Sequence, residues 1–253
     1  MSKIVLANWK MNLSLKQALV LGRRLTAKLD RQPLAGLEIG LCPSFPALAP
    51  VKAVLSNDIA LGAQDAFWET RGSFTSAVSP ALLKEVGCRY VLLGHSERRA
   101  CLGETDALVN RKLRAVIKAG LTPVLCVGET WEERRAGHQD LVLLRQVSAA
   151  LRGIKPATIK KLLIAYEPVW VIGTGQAIAP AQAVYASQVI RQQVGDSLGM
   201  RIAASKLRLL YGGSVSADNV TDFVGPDKLD GVLVGRQSLK LTDFYPLLLK
   251  LTT

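Results

Sequence analysis

Leu162-Leu163-Ile164-Ala165-Tyr166-Glu167-Pro168-Val169-Trp170-Val171-Ile172-Gly173-Thr174-Gly175 is the stretch whose reading decides the fold. Five apolar residues run without a break, as in a strand buried on both faces of a parallel sheet. One carboxylate ends the run, and an apolar loop bounded by proline and glycines follows. Seven similar runs lie at 4–7, 38–42, 59–63, 90–93, 122–127, 207–211 and 231–234. Between them, apolar residues recur at helical spacing: Leu15, Ala18, Leu19, Gly22 and Leu25; Val109, Leu113, Val116 and Ile117; Leu141, Leu144, Val147 and Leu151. Ser14, Ser79 before Pro80, and Ser216 read as helix caps. No linker or low-complexity tract divides the 253 residues, and no GxGxxG joins a strand to a helix. Eight strand–helix units in that length predict an α/β chain folded as one (β/α)8 TIM barrel, a single domain over 1–253.

Composition narrows the function classes. With 49% hydrophobic and 21% charged residues the chain is not disordered. No apolar run reaches the 18 residues of a membrane span. The first residues turn polar at Asn8 and Lys10, too soon for a signal-peptide core. Cys42, Cys88, Cys101 and Cys126 form no CxxC pair and read as buried reduced thiols, the usage of a cytoplasmic protein. The net charge is +12, from 32 basic and 20 acidic residues, which suits a polyanionic partner or a small anionic substrate. The basic residues are scattered (Lys16, Arg23, Arg24, Lys28; Arg111, Lys112, Arg114, Lys118), and the 6% aromatic residues do not interleave with them. A solvated basic surface is expected, with no nucleic-acid and no membrane partner.

Barrel enzymes place their chemistry at the C-terminal ends of the strands. The polar residues there are Asn8 and Lys10, Gln64 and Asp65, His95 and Glu97, Glu129, Glu167, Gly212-Gly213-Ser214, and Gly235-Arg236. Glu167 under an apolar lid is desolvated and becomes a stronger base. Ser96 can begin a short helix whose N–H groups face His95, keeping the imidazole neutral and able to donate to a substrate oxygen. Lys10 can neutralise an oxyanion or a phosphate, with Asn8 orienting it or the substrate. The glycine turns after the seventh and eighth runs read as a phosphate nest of backbone N–H groups. The 168–175 loop reads as a lid hinged at its ends. No clustering of His, Cys and carboxylates implies a metal.

The chain resembles the triosephosphate isomerase family from end to end. The likeness rests on Asn8-Trp9-Lys10-Met11-Asn12, Gly94-His95-Ser96-Glu97-Arg98-Arg99, the segment 123–130, Ala165-Tyr166-Glu167-Pro168-Val169-Trp170, Ile172-Gly173-Thr174-Gly175 and Tyr211-Gly212-Gly213-Ser214-Val215. The resemblance implies cofactor-free interconversion of dihydroxyacetone phosphate and glyceraldehyde 3-phosphate, in glycolysis and gluconeogenesis. It assigns Glu167 as the proton carrier, His95 as proton donor to the oxygens, Lys10 as stabiliser of their charge, and Glu97 as the group orienting Lys10. Asn8 places the substrate, and N–H groups of Gly173, Ser214, Gly235 and Arg236 hold the phosphate. Ile172 and Leu233 form an apolar clamp over Glu167, and Trp170 near Glu129 holds the open lid, which includes Pro168, Gly173 and Thr174.

Departures from the family also carry expectations. Arg236 replaces a usual glycine and adds a cation, and Val171 stands for alanine in the lid. Both features leave a shifted sugar-phosphate substrate as the alternative. The loop 72–79 resembles the family's dimer loop, implying a homodimer with Thr75 reaching the neighbouring site. Ser76 and Ala77 replace its glycine and glutamate, so Arg98 is expected to lose its partner across the interface. Asp65 stands where asparagine is common.

Overall fold

The computed structural model describes residues 2–252; Met1 and Thr253, the two ends of the expected domain, lie outside the described residues. Its strands are β1 (Lys3–Asn8), β2 (Leu37–Cys42), β3 (Ile59–Ala63), β4 (Cys88–Leu93), β5 (Thr122–Val127), β6 (Leu162–Tyr166), β7 (Leu207–Tyr211) and β8 (Gly231–Val234). Each lies beside the next in chain order, all parallel, and β1 also pairs with β8 to close the barrel. The apolar runs thus mark all eight strands, because strands covered by helices outside and packed inside have no wet face to interrupt the pattern.

Two apolar layers follow from that closure. Ile4, Leu6, Tyr90, Leu92, Val124, Leu163, Leu210 and Leu233 fill the barrel interior. The alternate residues, among them Val5, Leu41, Val91, Leu125 and Ile164, pack outward against the helices. Burying each such side chain contributes about 1.5–3 kcal/mol. At the N-terminal end, Tyr90 reaches down the interior to hydrogen-bond Glu38. Lys161 joins Glu38 at 2.6 Å, and Arg89 at 2.5 Å, closing that end with charge.

The helix Leu15–Arg31 starts at a capping box in which Ser14 accepts from the Gln17 N–H and the Gln17 side chain answers to the Ser14 N–H. Ser79 likewise caps Pro80–Glu85. Ser216 does not cap a helix: it braces the turn, accepting from the Asp218 N–H, and the helix begins at Val220. The stripe expected on Gln139–Leu151 is rotated. Leu141 is 63% exposed, while Leu143, Val147, Ala150 and Leu151 are buried, because this helix packs sideways against both Asp106–Lys118 and Pro180–Leu198. Leu15 is exposed too, its place on the buried stripe taken by Leu21 and Leu29.

Two expectations from composition fail at single residues. Lys112 is not solvated but 4% exposed, held by Asp65 at 2.8 Å and by Glu104. Cys101 is exposed, on the outer side of Ser96–Leu102, while the other three cysteines are buried. Among the described residues no helix is long and apolar enough to cross a membrane.

Candidate active site

The C-terminal ends of the strands surround a cavity of about 410 Å³. Asn8, Lys10, His95, Glu97, Glu167, Ile172, Gly173, Ser214, Leu233, Gly235 and Arg236 all line it. Pro168, Trp170 and Thr174 do not; they form the outer, anchoring part of the lid. Asp65 and Glu129 do not line it either; Asp65 pairs with Lys112 and Arg98, and Glu129 holds Trp170, Tyr166 and Arg134.

Glu167 begins where β6 ends, its N–H held by the Val127 carbonyl at 2.7 Å. The approach between these turns is tight. A Cβ on Gly128 would lie 1.7 Å from the Glu167 carbonyl oxygen, so only glycine lets the end of β5 lean against Glu167. The Glu167 side chain is 2% exposed. Its Oε2 accepts from the Ser96 N–H at 3.0 Å, and its Oε1 lies 3.1 Å from His95 Nε2. Burial, and then the neighbouring Glu167 carboxylate, push the Cys126 thiol well above its ordinary pKa, so it stays a neutral wall.

His95 is the residue before the helix Ser96–Leu102, and its Nδ1 accepts the Glu97 N–H at 3.2 Å. An imidazole nitrogen that accepts carries no proton, so the ring's proton sits on Nε2, facing Glu167 and the cavity. The expectation left out the Ser96 N–H, which holds the base from the same turn. Backbone donors leave no signal in residue type; only the predicted helix start at Ser96 could have found it.

Lys10 has φ +50°, a conformation that costs a non-glycine residue about 1–2 kcal/mol. Two groups hold it there: Asn8 Oδ1 accepts the Lys10 N–H at 3.0 Å, and the Gln64 amide donates to the Lys10 carbonyl at 2.8 Å. Its ammonium meets Glu97 Oε1 at 2.5 Å. Asn8 and Glu97 therefore orient Lys10 from its two ends.

Across the cavity, the N–H groups of Gly173, Ser214, Gly235 and Arg236 have no protein acceptor among the described residues. Four unpaired donors around one space form an anion site. Arg236 sits there without a positive φ, so its Cβ costs nothing in backbone strain.

The lid is pinned at both ends. A short turn, Val169–Val171, aims Trp170 Nε1 at Glu129 Oε1, 3.0 Å away. Glu129 is fully buried, and Tyr166 Oη and Arg134 also donate to it. Burial, with Glu129 next to it, raises the Tyr166 pKa and keeps that hydroxyl a donor. The Arg134 guanidinium lies 4.7 Å from the Trp170 ring centre. Val171 is buried, so its extra bulk is taken up by packing. At the other end Ser214 Oγ donates to the Val171 carbonyl and Arg236 Nη2 to the Gly173 carbonyl, at 3.0 and 2.9 Å. The Ile178 N–H reaches Tyr211 Oη at 3.4 Å, and burial lifts that phenol to about 12.

Arg98 is not left without a partner. Its Nη2 lies 2.8 Å from Asp65 Oδ2, and its Nε lies 3.4 Å from Glu104 Oε2. With Lys112 these make a buried network of two cations and two carboxylates. Its members come from β3's end, two helices and the loop that joins them, so residue spacing did not predict it; the acidic Asp65 was the visible clue.

The triosephosphate isomerase family model matches residues 3–251. Relatives named triosephosphate isomerase include that of Roseiflexus castenholzii, 45% identical over 242 residues, 95% of this chain and 94% of the relative. That of Dechloromonas aromatica is 45% identical over 244 residues, 96% of each chain. That of Dehalococcoides mccartyi is 44% identical over 242 residues, 95% of this chain and 93% of the relative.

Proposed function

The chain belongs to the triosephosphate isomerase family and is an isomerase of triose phosphates, and we propose that Glu167, His95 and Lys10 carry its reaction. Dihydroxyacetone phosphate and D-glyceraldehyde 3-phosphate differ by one proton's place on carbon and one on oxygen. Glu167 takes the proton from the carbon beside the carbonyl, leaving an enediolate, and returns it to the adjacent carbon. His95 Nε2–H donates to each substrate oxygen in turn as charge develops there. Lys10 holds the negative charge on the oxygens, kept in place by Glu97 and Asn8. The N–H groups of Gly173, Ser214, Gly235 and Arg236 take the phosphate. The protons that leave one carbon and one oxygen of the substrate return to its neighbouring carbon and oxygen, so the step balances with no further reactant.

The observation that carries this reading is one arrangement: a carboxylate 2% exposed, 3.1 Å from the Nε2 of an imidazole whose Nδ1 accepts a backbone N–H, sharing one cavity with the turns of Gly173, Ser214, Gly235 and Arg236. Ile172 and Leu233 border Glu167 with apolar surface, so a shut lid strips water from the base and protects the enediolate. A shifted sugar-phosphate substrate is not favoured, since these relatives all bear the same name. The test is turnover of glyceraldehyde 3-phosphate by the wild type and by Glu167→Asp. A carboxylate withdrawn by about 1 Å costs on the order of 10²-fold in kcat. Equal rates in the two proteins would exclude Glu167 as the base.

Two further proposals concern setting. The protein works in the cytoplasm, in glycolysis and gluconeogenesis, consistent with four unpaired cysteines. It also forms a homodimer through the loop around Thr75, where Phe74 is 44% exposed and its ring sits tilted against Phe67, centroids 4.8 Å apart. An apolar ring supported from beneath and open above suits a protein contact. Because Arg98 is paired within its own chain, the interface lacks that charge contact and is expected to be weak. Sedimentation at micromolar and nanomolar concentrations checks this; a monomer throughout would sink the dimer.

A further inference from the structure

We propose that the Arg236 side chain is a phosphate ligand in its own right and the tether of the lid's glycine end. The proposal builds on the isomerase reading and assigns a new role to the same site.

Among the described residues Arg236 makes no ion pair, although it lines a cavity that holds two carboxylates, Glu97 and Glu167. Lys10, the other cation on that wall, is already committed to Glu97. Among the described residues that line the cavity, Arg236 is the one Lys or Arg without a carboxylate partner. One of its five donors is used, Nη2 to the Gly173 carbonyl at 2.9 Å. The others face a phosphate held in the nest, where Arg236 also offers its backbone N–H.

Gly173 is thereby gripped at one atom and open at another. Its carbonyl belongs to Arg236, while its N–H faces the cavity without a protein acceptor. Its φ of +79° is one that glycine adopts without strain. A phosphate bound between the Gly173 N–H and the guanidinium therefore links the lid to the turn after β8. Charge-assisted hydrogen bonds of this kind are about twice as strong as neutral ones.

The variants Arg236→Gln and Arg236→Lys separate the two parts of the role. Glutamine keeps an N–H for the Gly173 carbonyl but no charge; lysine keeps the charge without the planar fork. The probe is inorganic phosphate, measured as a competitive inhibitor of glyceraldehyde 3-phosphate turnover and, directly, by Trp170 fluorescence. Arg236→Gln is expected to weaken phosphate about tenfold, flatten its dependence on ionic strength and raise KM, with kcat moving less than about threefold. Arg236→Lys is expected to recover most of the affinity. Wild-type phosphate affinity in Arg236→Gln overturns the proposal, as does loss of affinity in both variants to the same extent. A wild type that binds phosphate through Arg236 yet turns over no triose phosphate would sink the isomerase reading instead.

Discussion

Two carboxylates sit at opposite ends of one barrel and are treated in opposite ways. Glu38, at the N-terminal end, receives the Tyr90 hydroxyl, Lys161 and Arg89. Burial pushes its pKa up, but Lys161, Tyr90 and Arg89 outweigh that and hold it below the ordinary carboxylate value. Glu167, at the other end, is more deeply buried: its Oε2 accepts the Ser96 N–H, the Cys126 thiol also bonds it, and His95 Nε2 lies 3.1 Å from its Oε1. No cation lies within 4 Å of it among the described residues. A carboxylate neutralised by two cations stabilises the fold and is a poor base. One that meets no Lys or Arg and lines a cavity is open to a bound ligand. The barrel separates these duties by about the length of a strand.

The comparison breaks if either end does the other's work. The largest effect is expected from His95→Asn. Asparagine still caps Ser96–Leu102, so the helix survives, but the Nε2–H beside Glu167 is lost. The expected fall in kcat is about 10²–10⁴-fold, with a Tm close to wild type; a Tm drop without loss of kcat would make the turn merely structural. Smaller is the effect of Glu38→Gln, about 1–3 kcal/mol of stability at neutral pH. Because the folded pKa of Glu38 lies below the unfolded one, its contribution is complete above the unfolded pKa. It is lost as pH falls through the folded value. Urea unfolding at neutral and acid pH should show the gap between Glu38→Gln and wild type closing on the acid side, with kcat at neutral pH unchanged. A constant gap would mean that packing, not charge, sets the cost.

Much of this was legible in the sequence because a parallel barrel leaves a simple record. Every strand is buried on both faces, so a polar residue just past an apolar run marks the rim, and Lys10, His95 and Glu167 were found by that rule alone. What escaped has no such record. Ser96 acts through its backbone N–H, and Gln64 through an amide that props the Lys10 carbonyl. Lys112 looked like one more surface cation until the fold brought Asp65 and Glu104 around it. The outward turn of Leu141 escaped for a related reason: periodicity gives a helix's apolar arc but not the direction from which its neighbours press on it.

The pairing of β1 with β8 has a consequence for how the chain can be cut. Lys3 Nζ reaches the Leu251 carbonyl at 2.8 Å, so the two ends of the described chain meet at the foot of the barrel. In such a ring, the place where the polypeptide starts is topologically arbitrary. Joining the ends through a short linker and opening the exposed turn at Arg152-Gly153 would leave every strand with its neighbours. The same cut within 168–175 would sever the span between Glu129's hold on Trp170 and Arg236's hold on Gly173. Circular permutants thus divide the loops of this barrel into those that only connect and those whose unbroken backbone is part of the machine.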